Sequence, residues 1–247
     1  METTHKAKGI VLRTVRYGET SVITTLYTDL FGLQSYIVKG VRKSGKHAPA
    51  KAHYFQPAAL LELVVYKNAF RSLQYIKEFQ WGYLYDKVFF DVVRNAVGMY
   101  MVELIVHSIR EEDPHPDLFD FFESAFILLD KGSDEAVADL PLIFSMHFAK
   151  HLGFQIHGKY SEAAPYLDLV AGSYVAAKPD HPYMMEDKFA AITSQINSRK
   201  DIFAAAPLQI NHFIRRELLK YYQQFFSLHL QQSGEMKSLR ILQAILQ

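Results

Sequence analysis

The chain has 247 residues, 49% of them hydrophobic and 21% charged, with a formal net charge of +1. That is enough apolar material for one large core or two smaller ones, and 15 Tyr with 18 Phe argue against a disordered chain. With no Cys, disulfides, thiolate metal sites and thiol nucleophiles are excluded, and no apolar run nears the roughly 20 residues that span a bilayer.

The opening residues lack the charged, apolar and small-residue order of a secretory signal, so a cytoplasmic location is expected. The small net charge conceals an asymmetry. Residues 1–77 carry twelve Lys and Arg against four Asp and Glu, a balance of +8, and the rest of the chain has a balance of −7. Such segregation predicts two domains with different partners, drawn here as 1–80 and 81–247.

GIVLRTVRY, from Gly9, reads as a strand with one wet face, followed by a turn at Gly18-Glu19. SVITTLYT is a second strand, and Asp29-Leu30-Phe31-Gly32 closes a hairpin onto a third, LQSYIVKG. In that third strand Gln34, Tyr36 and Val38 share one face, because side chains alternate. ALLELVVY and SLQYIKEFQ are the fourth and fifth strands. Five short strands with no helix among the first three predict a small antiparallel barrel; an OB-type Greek key leads, and an SH3-like barrel fits the pattern too.

Between the third and fourth strands lies KGVRKSGKHAPAK, from Lys39 to Lys51. It holds Lys39, Arg42, Lys43, Lys46 and Lys51 and no acid, and its Gly and Pro residues break any regular element. An OB fold often carries a helix at this connection; here a basic, glycine-bearing loop is expected in its place.

From about residue 82 the period becomes helical. DKVFFDVVRNAVGMYMVELIVHSIREE predicts one long helix with Asp86 as N-cap and an apolar stripe of Val88, Val92, Asn95, Met99, Val102 and Val106. A second helix runs from Pro116-Asp117 through Phe119, Phe122, Phe126 and Leu129, and a third from about Ala136 to His151, with Gly153 just past its end. Residues 153–185 are broken by Gly and Pro, and YLDLVAGSYVAA within them predicts a small hairpin. Helices follow over about 186–198, from near Pro207 to about Gln232, and at the closing LRILQAILQ. The fold class is therefore α+β and multidomain: a five-stranded OB-fold barrel, then an α-helical bundle carrying a small cysteine-free hairpin insertion.

Enzyme signatures are missing. There is no phosphate loop, no dinucleotide fingerprint and no nucleophile elbow. His147 and His151 stand at i, i+4 in HFAKH, which lacks the Glu of a zinc hydrolase, and read as ordinary helix histidines. The cluster Glu111, Glu112 and Asp113 reads as a solvated helix end.

Nucleic-acid signals are stronger, since single-strand binding needs cations for phosphates and aromatic rings for bases. The expected DNA-binding residues are Lys39, Arg42, Lys43, Lys46 and Lys51, supported by Arg13, Arg16, Lys67 and Arg71. Tyr36 and Tyr66 are the aromatics expected to be exposed, each lying near a basic strand end. Arg215, Arg216 and Lys220 form a basic patch in an otherwise acidic region, either a solvated face or a dock for an acidic, hydrophobic-ended peptide.

These segments resemble the RecO family of bacterial recombination mediators. The likeness starts at GIVLRTVRYGETSVITTLYTDLFG and continues through YIVKGVRK and the Phe55-Gln56-Pro57 step. It covers residues 8–80 well and the helical region loosely, up to the closing SLRILQAIL. The resemblance implies an N-terminal OB fold, a helical C-terminal domain and no enzymatic turnover. It implies binding of single- and double-stranded DNA and annealing of complementary strands, in the nucleoid. It further implies work with RecR, with RecF in some pathways, and with the acidic C-terminal tail of single-strand-binding protein (SSB), to load RecA. Many relatives hold zinc with two CxxC pairs in the irregular segment. This chain has no Cys there, and no metal and no cofactor are expected. Two other readings stay open: a protein-interaction scaffold, and an RNA-binding OB-fold protein.

Overall fold

The computed structural model describes residues 3–42, 51–68, 70–110, 113–202, 207–230 and 236–245. They gather into two compact units, Met1–Phe90 with Ile105–Asp130, and Asp91–Leu104 with Lys131–Gln247.

The first unit is built on five strands: β1 (Thr3–Tyr17), β2 (Ser21–Thr28), β3 (Gly32–Val38), β4 (Leu60–Lys67) and β5 (Leu73–Tyr83). They close into a barrel in the order β1-β2-β3-β5-β4. Closure depends on the length of β1. Its first half pairs with β4, its second half pairs with β2, and a bulge between Val11 and Arg13 turns it from one to the other. The sequence reading begins this strand only at Gly9. Residues 3–8 are mostly wet, so their strand character comes from main-chain bonds to β4 and leaves little apolar pattern.

Inside the barrel are Val11, Val22, Leu26, Tyr36, Val38, Phe55, Leu61, Leu63 and Val65. They alternate along each strand as a period of two demands. Gly32 takes φ +57 where β2 turns into β3, a left-handed conformation suited to glycine. The connection from β3 to β4 does contain a helix after all, a single 3-10 turn at Lys51–Phe55 that puts Phe55 into the core.

Helix α2 (Pro116–Lys131) packs in the same unit up to Asp130. Phe122 meets Tyr27 edge-on, ring centroids 5.3 Å apart, and Glu123 accepts from Lys8 Nζ at 3.0 Å. The fully buried Asp130 accepts from the amides of Lys87 (2.8 Å), Asp86 (3.2 Å) and Val88 (3.3 Å) and from the Tyr83 hydroxyl (3.1 Å).

Helix α1 (Val92–Ser108) starts later than its periodicity predicts. Its cap is Asp91, whose Oδ1 accepts from the Arg94 amide at 2.8 Å; Asp86 instead donates its amide to Asp130. The buried face is Ala96, Val97, Tyr100, Met101, Leu104 and Ile105, whereas Val92, Met99 and Val106 of the predicted stripe are exposed. Val88 and Val102 of that stripe are buried, and apolar residues occupy nearly every side of this helix, so spacing alone does not select its buried face.

In the second unit, α3 (Asp134–His151) packs on α4 (Asp187–Asn197) and α5 (His212–His229), and α6 (Lys237–Ile245) closes the chain. Ser133 caps α3 and Asn211 caps α5 through their side-chain oxygens. Helix α5 therefore starts after Pro207, four residues past that residue's turn. The insertion forms a three-stranded sheet, β6 (Tyr166–Asp168) flanked by β7 (Ser173–Val175) and β8 (Met184–Met185). Leu167, Leu169 and Met185 are its buried side chains. Asp168 Oδ1 accepts from the amides of Val170 and Ala171 across the hairpin turn, at 2.8 and 2.9 Å.

Candidate nucleic-acid interface

The barrel register lines up one row of side chains on its outward face, exposed at Val15 and buried at Ile37. Val15 pairs with Ile23, Ile23 with Ile37, Ile37 with Tyr75, and Tyr75 with Tyr66. Directly paired residues share a face. Their chain neighbours Val22, Val38, Ile76 and Val65 are the ones that point into the core. The two tyrosines thus stand half-buried, side by side, on the outside.

A groove of about 510 Å³ runs there, lined by Lys39, Tyr66, Arg71, Tyr75, Lys77 and Phe79. Lys39 Nζ lies 5.0 Å from the centre of the Tyr75 ring, and Lys51 Nζ lies 5.9 Å from that of Phe79. Each ring face is therefore held next to a cation. Lys77 comes within 3.5 Å of Glu78, but both are well exposed, and such a surface pair leaves the cation available to a phosphate. A neighbouring hollow of about 780 Å³ is of mixed charge: Lys6, Lys8, Lys51 and Lys77 share it with Asp29, Glu62 and Glu78. The groove with the tyrosines is the more anion-seeking of the two.

The structure sorts the expected residues into three sets. Lys39, Tyr66 and Arg71 come together in the groove, with Lys51 at its edge. Arg13 lies one rung from the tyrosine row, opposite Thr25, and Arg16 projects from the other face of β1, opposite Val22; both are exposed. Arg42 and Lys67 are occupied by the protein itself. Arg42 Nη1 donates to the Gly18 carbonyl at 3.0 Å, tying the basic loop to the β1–β2 turn. Lys67 Nζ donates at 2.7 Å to Oε1 of Gln34, a buried amide, and lies over the Phe31 ring. Lys43 and Lys46 lie outside the described residues, as do Glu111 and Glu112.

Tyr36 is a correction. Its ring is completely buried in the barrel, alternating with Gln34 and Val38 on the inner face. Closeness to a basic strand end says nothing about which face a residue occupies. Desolvation raises its hydroxyl pKa far above the ordinary tyrosine value. The residues that sequence reasoning missed are Tyr75, Lys77 and Phe79, alternate positions of β5. A strict period of two does not carry through them: Lys77 is the extra residue of a bulge opposite Val64 and Val65, and Phe79 beyond it pairs with Leu63 and packs against the barrel core, so their place beside Tyr66 depends on the β4–β5 register.

In the second unit the basic patch dissolves. Arg215 Nε donates at 2.8 Å to Asp139, which is buried, so this cation belongs to the interior. Lys220 pairs with Glu217 at 2.6 Å on the same helix, and Arg216 is exposed. His147 is buried, and desolvation, followed by Lys150 and His151, lowers its pKa to about 4, so it is neutral at neutral pH.

The two-CxxC zinc site that the resemblance suggests for the irregular segment does not fit this chain. No Cys is present, and among the described residues no three of His, Asp or Glu are grouped to hold a metal ion. Packing and hydrogen bonds organise the insertion: Phe154 stacks on His229 at 5.3 Å, and His229 Nε2 lies 2.9 Å from the Leu169 carbonyl. No helix among the described residues is long and apolar enough to cross a membrane.

Comparison with known proteins gives a consistent result. Residues 1–85 match the family model described as Recombination protein O N terminal, and residues 90–240 the one described as Recombination protein O C terminal. The chain is 28% identical to the DNA repair protein RecO of Christiangramia forsetii, over 96% of this chain and 97% of that one. It is 30% identical to the DNA repair protein RecO of Flavobacterium johnsoniae, over 97% and 98% of the two chains. A shorter alignment, with the DNA repair protein RecO of Exiguobacterium sibiricum, is 34% identical over 62% of this chain and 58% of that one.

Proposed function

The chain belongs to the recombination protein O family, RecO, and on that premise we propose that it is a DNA-binding mediator of recombinational repair that acts without chemical turnover. The observation that carries the reading is the pair Tyr66 and Tyr75 on the barrel surface with Lys39, Arg71 and Lys77 around them. Rings set beside cations suit a single strand, whose bases stack while its phosphates are neutralised.

Neutralising phosphates releases counterions and lowers the repulsion between two strands, which is the physical requirement for annealing. In this reading the barrel holds strands for pairing and for the loading of a RecA-type recombinase where SSB has coated them. RecR and RecF are partners, and the SSB tail docks on the helical region, where Arg216 offers an exposed cation.

The test is binding of the purified chain to a single-stranded oligonucleotide over a range of salt. Replacing Lys39, Arg71 and Lys77 together with Ala removes three phosphate contacts. The slope of log affinity against log salt then becomes shallower by about 2, at about 0.7 per contact. An unchanged affinity and slope would sink the reading. An annealing assay with and without cognate SSB then tests the mediator step.

A further inference from the structure

The β4–β5 connection presents Phe70 with its side chain almost wholly in water, 98% exposed. Single exposed apolar side chains are common and need no explanation by themselves. This one differs in how its backbone is held. The Phe70 amide donates to Asn68 Oδ1 at 3.0 Å. Beneath it lies the buried side chain of Gln74, whose Oε1 accepts from the Asn68 amide at 2.9 Å and whose Nε2 donates to the Asn68 carbonyl at 2.9 Å and to the Arg71 carbonyl. A second buried amide, Gln34, donates to the Ser72 carbonyl at 2.7 Å and is itself held by Lys67.

Buried amides cost free energy unless they are fully bonded, so two of them directed at Asn68, Arg71 and Ser72 hold those backbone groups in place. The backbone is thereby held at Asn68 and at Arg71 and Ser72, on either side of a side chain that is 98% exposed. A phenyl ring left in water forgoes about 1.5–3 kcal/mol of burial. Its chain neighbour Arg71 lines the groove with Tyr66, Tyr75, Lys39 and Lys77. Positive charge beside a bare ring on a hydrogen-bonded backbone is complementary to a polyanion with flat apolar faces.

We propose that Phe70 is a stacking wedge: its ring takes one face of an unpaired base of a single strand whose phosphates run past Arg71, Lys39 and Lys77. The inference rests on the DNA-binding reading above and adds the residue that holds a base at the end of the tyrosine row. Phe70 neutralises no phosphate, so its contribution is insensitive to salt, unlike that of the lysines.

The experiment compares the full-length chain with Phe70→Ala, Phe70→Leu and Phe70→Trp, binding a labelled oligothymidine strand and the same strand carrying abasic sites. Phe70→Ala is expected to weaken binding to the intact strand about 5- to 150-fold, the range of one lost stack. The salt slope stays as it was, Phe70→Leu does not rescue, and Phe70→Trp does. On the abasic strand the parent loses affinity and Phe70→Ala loses little more. If the parent binds no single strand, the underlying reading fails. If the parent binds and Phe70→Ala binds equally well, the wedge alone is overturned and the groove stands. Rescue by Phe70→Leu, or an equal loss on both strands, also overturns it, since either describes generic apolar contact. Because the Phe70 side chain is 98% exposed, matching thermal melts are expected for all four proteins.

Discussion

Arg215 on α5 donates through Nε to Oδ1 of Asp139 on α3 at 2.8 Å, and Asp139 Oδ2 accepts from the Leu208 amide at 2.6 Å. One buried carboxylate thus joins two helices and the segment that leads into the second. A cation that looks in sequence like part of a surface patch is a tie within the helical unit.

Truncating Arg215 removes the ion-pair partner of the buried Asp139 and leaves it the Leu208 amide and the charge of Arg199. Arg215→Ala is expected to destabilise the protein by about 3–5 kcal/mol, the usual cost of breaking a buried pair from one side. Arg216→Ala and Lys220→Ala, at exposed positions, should stay within about 0.5 kcal/mol. Urea titrations of the three variants check this. If Arg215→Ala matches the other two, the pair contributes little.

Much of the fold was legible because the middle barrel strands, Ser21–Thr28 and Gly32–Val38, are short and pair with each other without a bulge. In Ser21–Thr28 the β-branched run between two turns marks the strand, and Pro116 and Gly132 bracket α2. The misreadings share a physical cause. The first residues of β1 and the apolar surround of α1 carry patterns that do not say which side is wet. The interface was half legible. Charge located Lys39 and Arg71, but the partnership of Tyr66 with Tyr75 arises from pairing between strands, and the role of Lys67 from a buried glutamine thirty-three residues away. Such relations are absent from any local window of sequence.

Tyr36 and Tyr75 separate core from interface. Tyr36→Ala empties part of the barrel and should cost about 3–5 kcal/mol of stability. Tyr75 is half outside, so Tyr75→Ala should cost clearly less, while weakening single-strand binding about 5- to 150-fold. Thermal denaturation and oligonucleotide binding measured on the same preparations give the comparison. A Tyr75→Ala protein that binds like the parent removes this ring from the interface.

Asp130 predicts a specific acid response. Burial by itself raises its pKa, but the amides of Lys87, Asp86 and Val88 and the Tyr83 hydroxyl outweigh that and hold it below the ordinary aspartate value. The folded pKa is therefore below the unfolded one, near 3.9. The ionised carboxylate stabilises the fold above the unfolded pKa, and that contribution is lost as pH falls through the folded value. Asp130→Asn should lose at least about 2 kcal/mol at pH 7, because amide hydrogens replace an acceptor facing backbone donors. Its stability should then decline less than the parent's between about pH 5 and pH 3. Urea midpoints across that range test the sign, and parallel declines would remove Asp130 as the titrating group.

Gly82 marks a place where two strands leave no room. Leu60 pairs with Tyr83 and Leu61 with Trp81, so Gly82 is the extra residue of a bulge in β5. A Cβ added there would lie 3.2 Å from the Leu61 carbonyl carbon and 3.3 Å from the Glu62 nitrogen, both backbone atoms that cannot rotate away. Gly82→Ala is expected to cost about 1–3 kcal/mol through displacement of β4. Gly18, at φ +56 in the β1–β2 turn, offers the contrast: a Cβ there meets nothing within 4 Å, and Gly18→Ala carries only the left-handed penalty of about 1–2 kcal/mol. The two mechanisms separate in the double variants with a β4 residue. Gly82→Ala should couple to Leu61→Ala, whereas Gly18→Ala should add to it independently, as distant sites do. Additivity in both cases would show that the bulge tolerates a methyl group.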